Sequence, residues 1–248
     1  MTRTVVISGG GTGIGLAAAR TFAADGDRVL LLGRRAEVLE RAAAGVPGAR
    51  WYAADLGEPD GARGAAAFAA EALGRVDVLL NCAGGNGGLE PDAGTADPLA
   101  AVAHDWTVNF RINVLTAALL TEALRDRLTA PGGRVLFVSS IAAYRGSGTG
   151  AYAGAKAALH PYAFDLARQL GPGGVTVNVV APGYIEDTEF FGPHMAEEDH
   201  RARAAQSVTG RAGTPDDVAR TLHWLASAAA GHLTAQVVQV NGGALPGR

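Results

Sequence analysis

Cysteine is nearly missing from this chain. The single Cys82 excludes an internal disulfide framework and most cysteine-based metal sites, and it fits a reducing cytoplasm. Aromatic residues are scarce at 6%, and charged residues make up only 18% with a net charge of −3. That balance gives no general pull toward nucleic acid or an anionic membrane. There is no run of about 18 apolar residues to span a bilayer, and no N-terminal stretch of signal-peptide form. The expectation is therefore a soluble, cytoplasmic protein. What the chain does hold is glycine, 35 residues of 248, within a composition that is 48% hydrophobic. Disorder is excluded by that composition. The glycines suit many tight strand-to-helix turns, and the length is enough to bury a substantial core.

Apolar runs and Ala-rich helical stretches alternate throughout. Residues 4–8 read as a short buried strand, followed by the turn Gly9-Gly10-Gly11-Thr12-Gly13-Ile14-Gly15 and a helix over 16–24. Glycines at such a turn let the backbone approach a phosphate, and a helix start offers free N–H donors. By itself this signal is shared with methyltransferases and plain turns. A second strand, 28–33, ends in Arg34-Arg35. In a Rossmann-like unit the adenosine ribose lies there; two guanidiniums suit a 2′-phosphate, where an acid would suit a hydroxyl. NADP(H) is thus favoured over NAD(H).

Further strands are expected at 50–55, 75–80, 135–138, 174–180 and 235–240. Helices are expected at 37–44, 59–73, 99–128, 152–170 and 215–228, the last opened by Thr214 as cap with Pro215 behind it. Pro161 falls inside its helix and predicts a kink. No linker or composition break interrupts the alternation, so residues 1–248 read as one α/β domain. Its architecture is a doubly wound, mainly parallel sheet with helices on both faces. Ligands bind at the carboxyl ends of such strands. Gly9, Asp55, Asn81, Ser140 and Pro182 all fall there, and Asp55, Leu56 and Asn81 stand where a base edge could lie.

The strand over 135–138 runs into Ser139-Ser140, then a Gly/Ser loop, then Tyr152 and Lys156 four residues apart in an Ala-rich segment. That spacing puts phenol and ammonium on one helix face. An ammonium favours the phenolate, so Lys156 is expected to lower the Tyr152 pKa toward working pH, while a serine hydroxyl holds a carbonyl or carbinol oxygen. Asn113 lies deep in an apolar helical stretch and needs partners. Residues 184–210 lack strand character and read as a lid. Tyr144, Tyr184, Phe190, Phe191 and Met195 suggest a partly apolar substrate pocket. His194 and His200 read as solvated loop histidines, Cys82 as a packing residue, and no metal site is expected.

These motifs, taken in order, resemble the classical short-chain dehydrogenase/reductases over essentially the whole chain. The matching stretches are Ser8-Gly-Gly-Gly-Thr-Gly-Ile-Gly15, Asp55-Leu56, Asn81-Cys-Ala-Gly84, Asn113, Ser140, Tyr152-Ala-Gly-Ala-Lys156, Pro182-Gly183, Gly210 to Asp217 and Asn241-Gly-Gly. The resemblance implies a seven-stranded Rossmann sheet, a nicotinamide cofactor, and a catalytic tetrad of Asn113, Ser140, Tyr152 and Lys156. Asn113 would anchor a water in a proton relay, and Lys156 would grip the nicotinamide ribose. It implies cofactor contacts from Ser8, Gly9, Gly11, Thr12, Gly13, Ile14, Gly15, Asp55, Leu56, Asn81, Ala83, Gly84, Pro182, Gly183, Ile185 and Thr188, beside Arg34, Arg35, Tyr152 and Lys156. Homotetramers, less often dimers, are the implied assembly. The family's usual serine-to-tyrosine spacing picks Ser139, whereas aligning the strand picks Ser140 with one residue lost from the loop; Ser140 is taken. The expected activity is a carbonyl reductase, or the reverse alcohol dehydrogenase, with 3-oxoacyl and polyketide-type ketones among its substrates. The alternative is a non-catalytic cofactor-binding or regulatory protein on the same scaffold, whose usual mark is a lost tyrosine or lysine.

Overall fold

The computed structural model describes residues 2–87, 96–192 and 195–247; His194 lies outside them. Seven strands form one sheet: β1 (Thr4–Ser8), β2 (Arg28–Gly33), β3 (Arg50–Ala53), β4 (Val78–Asn81), β5 (Arg134–Val138), β6 (Thr176–Pro182) and β7 (Val237–Val240). Their order is β3-β2-β1-β4-β5-β6-β7, and every pairing is parallel. The helices are α1 (Gly13–Ala24), α2 (Ala36–Ala44), α3 (Pro59–Leu73), α4 (Pro98–Phe110), α5 (Thr116–Leu124), α6 (Ala142–Arg145), α7 (Gly150–Leu170), α8 (Glu197–Ala204) and α9 (Pro215–Leu225).

Alternation along each strand builds two cores. Val5, Ile7, Val29 and Leu31 face α1, α2 and α9, where Phe22, Leu39, Val218 and Leu222 meet them. Val6, Leu30, Leu32 and Phe137 face α3, α5 and α7, against Ala65, Leu120, Leu159 and Leu166. Successive side chains on a strand point to opposite faces, so a sheet covered on both sides needs the unbroken apolar runs seen here. Burial of each such Leu or Val contributes about 1.5–3 kcal/mol. The strand order reverses between β1 and β4, which opens a crevice at their carboxyl ends. Among the described residues, no helix is long and apolar enough to cross a membrane.

Several boundaries differ from expectation for local reasons. The fourth strand begins at Val78 because the residues before it serve the sheet's opposite edge. Val76 bridges to Leu128, and the Asp77 carboxylate accepts from the Thr4 amide and hydroxyl, both at 2.8 Å, and from Thr129 at 2.7 Å. The last strand begins at Val237 because Ala235 is left-handed, at φ 55. The helical stretch over 99–128 is broken: α4 passes into a π-helical turn, Arg111–Leu115, before α5, and a 3₁₀ turn, Arg125–Arg127, closes it. Helix α7 continues through Pro161, which is exposed, so water can solvate the carbonyl its ring leaves without a donor. At α9 the expected cap is present in full, with Thr214 and Asp217 exchanging bonds.

Candidate active site

The strand ends open on a cleft of about 1220 Å³. Its phosphate-side wall is the β1–α1 turn, lined by Gly9, Gly11, Thr12, Gly13, Ile14 and Gly15. Thr12 makes no side-chain cap and the first turn of α1 holds no acid, so the positive end of the helix is left to a ligand. The turn is closed on itself: a Cβ on Gly15 would sit 2.2 Å from the Gly9 carbonyl oxygen. Arg34, Arg35, Asp55 and Leu56 line the next stretch, and Ala83, Gly84, Pro182, Gly183, Ile185 and Thr188 continue toward the reacting end. A Cβ on Gly84 would fall 2.5 Å from Asn113 Oδ1 and 2.8 Å from Lys156 Nζ. Only a bare backbone fits between those groups and the cleft. The donor set and this cradle fit a dinucleotide carrying phosphates at one end and a flat ring at the other.

At the reacting end, α7 supplies Tyr152 and Lys156, and the end of β5 supplies Ser140. Tyr152 is 7% exposed. Burial pushes its phenol up to about 12, and the neighbouring Ser140 hydroxyl opposes that rise. Ser140 also accepts from the Ala142 amide at 3.1 Å. Ser139 points elsewhere: its hydroxyl sits between the Lys156 carbonyl, at 3.0 Å, and His160 Nε2, at 2.8 Å. The Lys156 ammonium donates to the Val138 carbonyl at 2.9 Å. Its own burial lowers its pKa to about 8, with Cys82 pulling the other way.

Four expectations are corrected here. Lys156 does not lower the Tyr152 pKa in this structure; its nitrogen lies 6.0 Å from the ring centroid, and desolvation of the phenol dominates. Asn113 is fully buried and off the cleft wall. Its Oδ1 accepts from the Gly85 amide at 3.1 Å, and its Nδ2 donates to the carbonyls of Gly85 and Asn109, both at 2.9 Å. Both N–H groups of the side chain and one lone pair of its oxygen are thus engaged by backbone. Ser8 and Asn81 are likewise behind the wall rather than on it. Ser8 accepts from the Ala83 amide at 3.1 Å, and Asn81 donates to Thr121 at 3.0 Å. Tyr144 turns away from the cleft, its ring centroid 5.2 Å from that of His160.

Tyr184, Phe190, Phe191 and Met195 line the cleft, and the Phe190 ring lies 5.1 Å from that of Tyr152. His200 is bonded to the Tyr184 hydroxyl at 2.6 Å rather than solvated. Cys82 packs against the core, and burial raises its thiol to about 12. Sequence reading missed Arg111, which binds Asp55 at 2.6 Å and Glu58 at 2.9 Å. With Gly57 donating to its other oxygen at 3.0 Å, both oxygens of Asp55 are already engaged. It also missed Glu189, paired with Arg35 at 2.6 Å, and the rim arginines Arg145 and Arg203. No motif marks any of these four, because each acquires meaning only from a neighbour distant in sequence. Among the described residues, no cluster of His, Cys, Asp or Glu could hold a metal ion.

Comparison with known proteins agrees with this geometry. The family model described as Enoyl-(Acyl carrier protein) reductase matches residues 9–244. The chain is 34% identical to the short-chain reductase protein NovJ of Streptomyces niveus, over 96% of this chain and 92% of that one. It is 33% identical to the 3-oxoacyl-(acyl-carrier-protein) reductase MabA of Mycobacterium bovis, over 98% and 93%. Among solved structures, a blue fluorescent protein from a metagenomic library, in complex with NADPH, superposes with a TM-score of 0.86. It is 30% identical and covers 98% of both chains. With a buried phenol, a serine and a lysine gathered beside a glycine-closed cradle, and relatives of this kind along its whole length, the chain belongs to the short-chain dehydrogenase/reductases and is an NAD(P)-dependent oxidoreductase of alcohol and carbonyl groups.

Proposed function

We propose that the protein is an NADP(H)-dependent carbonyl reductase, running in reverse as an alcohol dehydrogenase, on a small, partly apolar substrate in the cytoplasm. The observation that carries this reading is the buried Tyr152 hydroxyl beside Ser140 at the inner end of the cleft. Two hydroxyls brought together there match the two lone pairs of one carbonyl oxygen. One of the relatives is by name a 3-oxoacyl reductase, which supports a ketone as the substrate.

A nicotinamide cofactor, when bound, supplies or takes the hydride. Tyr152 supplies the proton. A phenol held near 12 stays protonated at neutral pH and parts with its proton only as negative charge builds on the substrate oxygen. Ser140 donates to that same oxygen, in a site shielded from water where one such bond is strong. Lys156 sits beside Gly84 with its ammonium buried and held on the Val138 carbonyl at 2.9 Å. Asn113 is a positioning residue that pins the Gly85 backbone, and Gly84 with it, against the cleft.

Arg34 and Arg35 on the rim favour a 2′-phosphate. The Arg35–Glu189 pair is exposed on both sides, 57% and 59%. Such pairs are worth about 0–1 kcal/mol, so a phosphate dianion can displace the carboxylate. A homo-oligomer is supported by an apolar stripe on α4, where Leu99 is 79%, Val102 55%, Trp106 50% and Phe110 44% exposed. Light scattering of the purified chain checks this, a monomer at micromolar concentration being the contrary result.

The central test is Tyr152→Phe. Turnover of a carbonyl panel should fall by about a thousandfold or more, while NADPH titration by fluorescence stays within about threefold. A variant keeping more than about a tenth of wild-type turnover ends the proposal.

A further inference from the structure

We infer that the substrate carries an anionic oxygen group, carboxylate or phosphoryl, which Arg145 and Arg203 hold at the outer end of the cleft. The inference rests on the reductase reading of the same cleft and adds the substrate's second functional group to it.

The geometry starts from the phenol. The Tyr152 ring is 5.1 Å from that of Phe190, Phe190 is 4.7 Å from Phe191, and the Arg203 guanidinium lies over Phe191 at 4.8 Å. A row of aromatic rings thus leads from the proton donor to a cation. Arg145, at the end of the short helix α6, reaches the same region and donates to Gln206 Oε1 at 2.6 Å. Both arginines and Gln206 line the cleft.

What sets these two arginines apart is the company they keep. Their neighbours Arg35, Arg201 and Arg211 are paired with Glu189, Glu197 and Asp217. Among the described residues, Arg145 and Arg203 are held only by neutral groups, an amide oxygen and a phenyl face. A guanidinium stacked on a ring keeps its in-plane N–H fork free for an anion. Acids are present on this rim, but among the described residues none is ion-paired to either guanidinium: Glu189 pairs with Arg35, Glu197 with Arg201, and Glu186 faces His200 at 3.6 Å. The cleft therefore offers hydroxyls at Tyr152 and Ser140, aromatic rings beyond them and two guanidiniums at the far end of that row. A carbonyl compound with an apolar spacer and a terminal anion matches all three parts.

The test measures NADPH consumption by the full chain on straight-chain oxo acids of increasing length. Their methyl esters and the phosphate esters of matching hydroxyketones form the other arms. The best anionic compound should exceed its neutral ester about tenfold or more in kcat/KM, mainly through KM. Arg145→Met and Arg203→Met should each cut that anion-to-ester ratio about tenfold, and added salt should erode it. The carboxylate and phosphate arms identify which anion is preferred. Esters turned over as well as acids, or a ratio that survives both substitutions, overturn the inference. Calorimetric binding of the same acids and esters to the NADPH complex of Tyr152→Phe gives a readout without turnover. Arginine-dependent binding of acids with no reduction by the wild type sinks the reductase reading alone, whereas equal binding of acid and ester sinks this inference alone.

Discussion

Replacing Ser140 and Ser139 by alanine, one at a time, separates chemistry from support within a single dipeptide. Ser140 stands beside the Tyr152 hydroxyl and otherwise accepts only one amide, that of Ala142. Removing it deletes a donor to the reacting oxygen in a water-poor site, which costs about 2.7–4 kcal/mol of transition-state stabilisation, or about 10²–10³ in kcat. The fold loses roughly 1 kcal/mol, the worth of one ordinary hydrogen bond. Ser139 has the opposite signature. Its hydroxyl, 3% exposed, joins the Lys156 carbonyl to the half-buried His160, and alanine removes both bonds. That costs about 1–3 kcal/mol of stability, lowering the Tm by roughly 2–4 °C for each kcal/mol in a chain of this size, while turnover falls less than about tenfold. Steady-state NADPH oxidation and thermal unfolding, run on both variants, decide the matter. A Ser139→Ala enzyme that is stable but inactive, beside an active Ser140→Ala enzyme, would refute the assignment.

The other expectations follow from single contacts. Arg34→Ala with Arg35→Ala should weaken NADPH by about 10- to 100-fold in Kd and NADH by no more than about threefold; equal losses in fluorescence titration remove the 2′-phosphate argument. Gly15→Ala places a Cβ against the Gly9 backbone, which has no flexible end to yield, so both NADPH binding and about 1–3 kcal/mol of stability should go; a variant that binds normally contradicts the closed-turn geometry. Asp217→Asn should cost about 1–2 kcal/mol at neutral pH, because Asp217 binds Arg211 and closes the α9 capping box. The Arg211 guanidinium holds that carboxyl well below the usual carboxylate range. Its contribution is therefore complete above about pH 5 and fades as pH falls through the unfolded value toward the native one. Urea titrations should show wild type and variant converging in acid; a constant gap would disprove the linkage.

The sheet was largely legible from composition and alternation, because buried parallel strands must be continuous apolar runs and glycines must mark their exits. Tyr152, Lys156 and the Gly9-to-Gly15 turn carried their meaning in local spacing, and the structure brings them to one cleft. What escaped was set by distant neighbours. The π-helical turn at 111–115 cannot be read from its own residues, since Asn113 within it is fastened to Gly85. Asp77 reads as a strand residue until Thr4 and Thr129 are seen to share its carboxylate. The phenol's acidity was misjudged because spacing to Lys156 says nothing of how dry the pocket is. Arg145 and Arg203 look like any exposed arginines until their partners in space are seen to be an amide oxygen and a phenyl face.

The contact between Phe190 and Tyr152 ties acid strength to loop position. Part of what keeps the phenol dry is a ring carried by the segment between β6 and α8, far from the catalytic helix in sequence. Lifting that ring would wet the hydroxyl and make it a stronger acid; seating it would make the hydroxyl a more reluctant one. The proton donor and the segment between β6 and α8 thus meet at a single pair of rings.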